Sequence, residues 1–199
     1  YDVTEQGLLK MLEMSGTSDF QQNFEELNII PMSISYEYEP CDILKAREVV
    51  ISRKHKYVKA EGEDLNSILV GIQQYKGNIH LNIGTPLTSE EIAEAALCDK
   101  NDRYQQIRHA VDRRVIEGYK LWKNNYIAYD LLNQSYKYSH LYDPADVEQF
   151  IAYMQKQLDT VEPEINREDL RRIFLDIYAN PVVTKELLEK EKVTGAILL

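Results

Sequence analysis

Apolar positions recur at helical spacing along most of the chain, and a two-residue period replaces it only briefly. Leu8, Leu9, Met11 and Leu12 follow Asp2-Val3-Thr4-Glu5. Asp2 can act as N-cap and Glu5 as its N3 partner, so the spacing predicts an opening amphipathic helix. Residues 16–23 read as a polar connection. Asn28-Ile29-Ile30-Pro31-Met32-Ser33-Ile34-Ser35 is rich in Ile and too short for a helix, which predicts a buried strand. Pro31 conflicts with a mid-sheet position there, because it cannot donate to a ladder. Ile43, Leu44, Ala46 and Val50 return to helical spacing, as do Leu65, Ile68, Leu69 and Ile72. The clearest strand is Asn78-Ile79-His80-Leu81-Asn82-Ile83-Gly84, whose strict alternation puts Ile79, Leu81 and Ile83 on one face. Thr88-Ser89-Glu90-Glu91 is a capping box for the next helix.

No further strand is predicted beyond Asp99. Residues 101–122 and 125–134 read as helices, and Asp143-Pro144 opens another with Pro in its first turn. Asn166 caps a helix over residues 167–179, and Asn180-Pro181 is expected to break it before a last helix. The predicted fold class is α/β over residues 1–97, followed by an all-helical extension over residues 98–199.

Composition changes this picture little, but it narrows the chemistry. With 23 Lys and Arg against 33 Asp and Glu, the net charge is −10, which argues against a nucleic-acid partner. No stretch reaches the ~20 apolar residues that span a bilayer, and the terminal Ala196-Ile197-Leu198-Leu199 is far too short. Residues 1–14 do not read as a secretory signal. Cys41 and Cys98 have no CxxC neighbour or His at ligand spacing, so no metal site is expected and both read as buried free thiols. One local excess stands out. Between residues 45 and 59, Lys45, Arg47, Arg53, Lys54, Lys56 and Lys59 face Glu48 alone. By contrast Arg103, Arg108, Arg113, Arg114, Lys120 and Lys123 alternate with Asp102, Asp112 and Glu117, which reads as ion-paired helix surface. The many tyrosines of the helical part read as packed rings with hydroxyls toward the surface.

The block Ile29-Ile30-Pro31-Met32-Ser33-Ile34-Ser35-Tyr36-Glu37 resembles the fourth sequence block of glycerol-3-phosphate and lysophosphatidate acyltransferases, a strand carrying a Pro that runs into a Ser-Tyr-acid ending. Behind it, Tyr75-Lys76-Gly77-Asn78-Ile79-His80-Leu81-Asn82-Ile83-Gly84-Thr85-Pro86-Leu87 resembles the family's Gly-led strand ending in a Gly-x-Pro turn. The resemblance covers residues 1–92, and Met32 departs from it where Val is more usual. It implies a partial acyltransferase-type sheet with flanking helices. It also implies that Pro31, Ser35, Tyr36 and Glu37 serve acyl-donor binding, and that Arg53, Lys54, Lys56 and Lys59 are candidates for contact with the phosphates of coenzyme A, an acidic carrier protein or anionic lipid.

The activity implied is transfer of a fatty acyl group from acyl-CoA or acyl carrier protein to a glycerol-phosphate or lysophospholipid hydroxyl in phospholipid synthesis. The donor is a substrate, and no bound cofactor is expected. The family's chemistry rests on a His-x-x-x-x-Asp block, in which His is general base and Asp its orienter. None of the four histidines fits: Ala60, Thr85, Arg114 and Ala145 stand where Asp would follow His55, His80, His109 and His140. The Glu-Gly-x-Arg block for the acceptor phosphate is also missing. The resemblance therefore implies a C-terminal portion, inactive by itself, prone to self-association, cytoplasmic and peripheral on the inner face of a membrane. The alternative reading is a protein-docking module, with residues 98–199 binding a partner and the α/β part as scaffold.

Overall fold

A computed structural model describes residues 3–16, 19–54 and 56–194 of the chain. The elements run α1 (Gln6–Met14), α2 (Phe20–Leu27), β1 (Met32–Tyr36), α3 (Asp42–Ser52), α4 (Glu63–Gln73), β2 (Ile79–Ile83), α5 (Ser89–Ala96), α6 (Asp102–Gly118), α7 (Lys123–Asn133), α8 (Pro144–Leu158) and α9 (Arg167–Thr194). A 3₁₀ turn at Ser139–Leu141 separates α7 from α8. The protein is mostly helical, 64%, with one small two-stranded antiparallel sheet. The α/β expectation therefore holds only as helices plus a small sheet, and no strand follows residue 98 among the described residues.

Two backbone bonds set the register of the sheet: Gly84 N–H donates to the Pro31 carbonyl, and Glu37 N–H donates to the Asn78 carbonyl, each 2.9 Å. Ser33 then lies opposite Asn82, Ser35 opposite His80, Ile34 opposite Leu81 and Met32 opposite Ile83. Pro31 thus sits just before β1, where it offers only a carbonyl, and this removes its conflict with the ladder. The strand expected to be buried is not. Ser33 and Ser35 are buried, while Met32 and Ile34 are exposed, as are Ile79, Leu81 and Ile83 on β2. The polar face of the sheet points inward and its apolar face outward.

The chain forms two compact units, Tyr1–Ile34, Leu81–Lys120 and Leu187–Leu199 in one, Ser35–His80 and Leu121–Glu186 in the other. Each draws on segments from both sides of residue 97, so the sequence division by element type is not the division by packing. In the first unit Leu9 of α1, Phe20 and Phe24 of α2, Ile92 and Ala95 of α5, and Tyr104 and Ile107 of α6 share a core. Helix α2 was not expected, since residues 16–23 read as polar. Asp19 caps it by accepting the Gln22 N–H at 3.0 Å, and the apolar Phe20 and Phe24 lie one turn apart. The capping box of α5 is present as predicted, whereas the Asp2 cap assigned to α1 falls outside the described residues and α1 begins at Gln6.

In the second unit Ile43, Ala46 and Val50 of α3 pack with Ile127 and Ala128 of α7, Phe150 and Met154 of α8, and Phe174 and Tyr178 of α9. Asn166 caps α9 as expected, accepting the Asp169 N–H at 2.8 Å. The predicted break at Asn180-Pro181 does not occur: α9 continues through Pro181. A Pro inside a helix removes one N–H and disturbs the carbonyls a turn before it. The buried Asn125 side-chain amide donates 2.8 Å to the Tyr178 carbonyl, one of the two affected, and Tyr178, Ala179 and Val182 are buried around the site. Core packing here outweighs the local break.

A Cβ on Gly84 would stand 2.9 Å from the Pro31 carbonyl oxygen, a backbone atom that cannot swing away. Gly84→Ala is therefore expected to destabilise the first unit by about 1–3 kcal/mol in chemical denaturation. Gly7→Ala, in a helix with nothing near the new methyl, is expected to stabilise it by about 0.5–1 kcal/mol.

Candidate functional site

The four residues assigned to the acyl donor lie together at β1, but they do not face one way. Pro31 is spent on the Gly84 bond. Ser35, 1% exposed, belongs to the inward face. Tyr36 takes the other face and is half-buried, opposite Ile79. Glu37 closes the far end of the sheet: its carboxylate accepts the Asn78 N–H at 2.9 Å and the Asn78 side-chain amide at 2.8 Å, while its carbonyl accepts from Asn124 at 2.7 Å. Gly77, in the left-handed region at φ 62°, makes that turn. Tyr36 is thus the one side chain of the set whose polar group is not built into the inward face, the turn or the backbone pairing.

The basic residues divide in two. Lys45 pairs with Glu39 at 3.0 Å, Arg47 grips Glu162 with two nitrogens at 2.8 and 2.6 Å, and Lys59 pairs with Asp64 at 2.6 Å. The hydrogen bonds from Arg47 hold the Glu162 carboxyl down at about 2. Arg53, Lys54 and Lys56 are exposed and have no ion-pair partner among the described residues. In the first unit Arg103 pairs with Glu13 and Arg114 with Glu91, and in the second Lys123 pairs with Asp146, in keeping with the ion-paired surface expected there. Neither cysteine is buried as expected; both are half-buried and free.

Among the described residues, no histidine is hydrogen-bonded or ion-paired to a carboxylate as a general base with its orienter would be. His109 is held below the usual histidine range by burial and by the neighbouring Arg108 guanidinium, whose Nη2 lies 3.3 Å from its Nε2. His80 lies on the inward face of the sheet, half-buried, and His55 falls outside the described residues. No group of three or more His, Cys, Asp or Glu able to hold a metal ion occurs among the described residues.

Sequence reasoning missed the most strongly perturbed polar cluster of the second unit. Asp42 opens α3 with its carboxyl 1% exposed. It accepts from Tyr178 at 2.7 Å, Tyr153 at 2.9 Å and its neighbour Ile43 N–H at 2.6 Å. The Tyr178 hydroxyl in turn accepts the Glu39 N–H at 2.9 Å. Burial pushes the Asp42 carboxyl up to about 6, against the pull of the two phenols and the backbone donor. Burial and the Asp42 charge likewise drive Tyr178 well above the usual phenol range. These partners stand 111 and 136 residues apart along the chain, so no spacing could reveal them. Asp130 is a second hub, accepting from Ser135 at 2.5 Å, Tyr142 at 2.8 Å, and the Lys137 and Tyr138 N–H groups at 3.0 and 2.9 Å. Although burial alone would raise its carboxyl, those bonds keep it below the usual range. Both clusters tie loops and helices together, and three tyrosines of the helical part, Tyr142, Tyr153 and Tyr178, spend their hydroxyls on these carboxylates.

A raised carboxyl contributes stability that is complete below its unfolded value near 4 and is lost as pH rises through about 6. For Asp42 the loss is at most about 3 kcal/mol between pH 4 and 7, since each unit is worth about 1.4 kcal/mol. Asp42→Asn cannot titrate. The difference in unfolding free energy between the parent and this variant is expected to narrow or reverse against the parent across that window. A constant difference from pH 4 to 7 contradicts the assignment.

Comparison with protein-family models, with curated proteins and with solved structures found no match to this chain.

Proposed function

We propose that this chain is a portion of a glycerolipid O-acyltransferase of phospholipid synthesis, with the catalytic His-x-x-x-x-Asp block supplied from outside residues 1–199. The observation that carries this reading is the pairing of the two resembling blocks. They stand apart in sequence, yet residues 31–37 and 78–84 form adjacent antiparallel strands in register. The open state of the sheet supports it. Ile30, Met32, Ile34, Leu81 and Ile83 are between 43% and 66% exposed, and each strand has one edge without a strand partner among the described residues. A two-stranded ribbon is marginal alone, and an apolar face of this kind fits a sheet that continues and is covered by further chain. A sheet that continues in this way is what the resemblance implies.

In this reading His, as general base, takes the proton of the acceptor hydroxyl. The oxygen attacks the thioester carbonyl, and the donor thiol leaves carrying a proton. This chain contributes donor binding at the end of β1. Tyr36 is the contact residue, while Pro31, Ser35 and Glu37 position it through the register, the inward face and the turn. The donor is acyl-CoA or acyl carrier protein, the acceptor a glycerol-phosphate or lysophospholipid hydroxyl, and the reaction needs no bound cofactor. No helix among the described residues is long and apolar enough to cross a membrane. A water-borne donor and a lipid product then suit a cytoplasmic protein working at the inner membrane face. The docking-module alternative needs its apolar surface on residues 98–199, but exposed apolar side chains concentrate before residue 98.

The test is acyl transfer from acyl-CoA or acyl carrier protein to glycerol-3-phosphate and to lysophosphatidate. The chain alone is expected to give no transfer above background. Joined to the coding segment upstream of Tyr1, it is expected to be active, and Tyr36→Ala to lower kcat/KM for the donor about tenfold, roughly 1.4 kcal/mol. The reading fails if that upstream segment lacks a His-x-x-x-x-Asp block, or if the chain alone turns over and loses activity on changing His80 or His109.

A further inference from the structure

Helix α4 is turned the wrong way for a helix of a water-soluble core. Leu65, Ile68, Leu69 and Ile72 form a single stripe at i, i+3, i+4 and i+7, and all four are between 48% and 72% exposed. No residue of α4 is buried. The face it turns to the rest of its unit carries Ser67 and Gly71. The Cys41 thiol donates to the Ser67 carbonyl at 3.6 Å, and a Cβ on Gly71 would lie 3.5 Å from Cys41 Sγ. An amphipathic helix normally buries its apolar stripe. Here the small residues are packed and the large apolar ones face water.

The charge beside the stripe says what it meets. Arg53, Lys54 and Lys56 lead into α4, exposed and without ion-pair partners among the described residues, in a chain whose net charge is −10. Of the acidic groups near the start of α4, Glu61 is exposed, while Asp64 and Glu63 are engaged. Asp64 holds Lys59, and Glu63 accepts from the Tyr57 hydroxyl and from the Ala60 N–H at 2.8 Å. Tyr75, 66% exposed just beyond the helix, adds a ring of the kind that sits at headgroup depth. An apolar stripe with three exposed cations just ahead of it in the chain is complementary to an anionic bilayer surface, with the helix lying in the interface. At 11 residues α4 is too short to cross.

We propose that α4, with Arg53, Lys54 and Lys56, is the surface by which this protein docks on membranes rich in anionic phospholipid. The stripe of Leu65, Ile68, Leu69 and Ile72 enters the headgroup boundary while the three cations hold phosphate groups. The purpose of such docking rests on the acyltransferase reading, but its geometry and its test do not require acyl transfer.

The experiment is flotation of the whole chain with vesicles of phosphatidylglycerol and phosphatidylcholine in equal parts, and with phosphatidylcholine alone. The chain is expected to float with the anionic vesicles and not with the neutral ones. The double variant Ile68→Glu, Ile72→Glu should lose at least about tenfold in partitioning, and Lys54→Glu, Lys56→Glu about tenfold or more at low salt, an effect that fades as salt is raised. All four positions are exposed, so the variants are expected to keep the parental circular dichroism and melting temperature. Leu97→Glu, an exposed apolar residue elsewhere, should float as the parent does. Three results overturn the proposal: no flotation of the parent, equal flotation of the α4 variants, or loss of a dimer on Ile68→Glu, Ile72→Glu with vesicle binding unchanged. A failure here leaves the acyl-transfer assay free to succeed, and a failure there leaves flotation free to succeed.

Discussion

The structure depends first on the backbone pairing between residues 31–37 and 78–84. An antiparallel ladder fixes two things at once, which residues are neighbours and which face each side chain takes. Here the bonds at Pro31–Gly84 and Glu37–Asn78 fix a register that sends Ser33, Ser35, His80 and Asn82 inward and the Ile, Leu and Met side chains outward. The small inward residues permit close packing: Gly118, at the end of α6, has no room for a Cβ against Asn82 and Ser33. The Ser33 hydroxyl, buried there, finds no hydrogen-bond partner among the described residues, a local cost that the register imposes. A slip of one residue would exchange the two faces and break both the polar inner packing and the Gly84 approach.

Electrostatics supplies the second organising layer, and it is carried by carboxylates rather than by the surface ion pairs. Asp42 collects donors from its neighbour Ile43 and from helices 111 and 136 residues further along the chain, whereas Asp130 collects four donors from the segment that follows it, within 12 residues. Exposed pairs such as Lys59–Asp64 contribute little in water and less in salt. A buried carboxyl with several donors instead fixes the relative positions of everything that touches it. Around Asp42 these are the start of α3 and the middles of α8 and α9, whose rings Tyr153, Phe174 and Tyr178 pack tilted on one another.

Much of this organisation was legible in the sequence where the signal is local. The alternation of Ile79, Leu81 and Ile83, the Thr88–Glu91 capping box, Pro144 in the first turn of α8 and the Asn166 cap each depend on a few adjacent residues, and each is present. What failed had a distant cause. Pro181 reads as a break, but the Asn125 amide and a buried surround keep α9 continuous. Residues 16–23 read as a polar connection and α2 was missed because two phenylalanines among glutamines and glutamates give a sparse stripe, enough once Tyr104 packs on Phe20. Which face of β1 is buried cannot be read from its own residues, since both faces alternate equally well. For the candidate site, sequence placed Ser35, Tyr36 and Glu37 at a strand end, but only the register separates Tyr36 from the other two.

The continuity of α9 through Pro181 has a kinetic side. With no N–H at residue 181, the ladder lacks its rung to the Ile177 carbonyl and is locally weakened there, with Asn125 supporting the Tyr178 carbonyl from outside. Opening of the segment after Pro181 need not extend through the weakened turn to the segment before it, where Phe174 and Tyr178 are held by the core. Amide protons before and after Pro181 should therefore exchange with solvent as two separate cooperative blocks, the later one faster, within what the fold presents as a single rod.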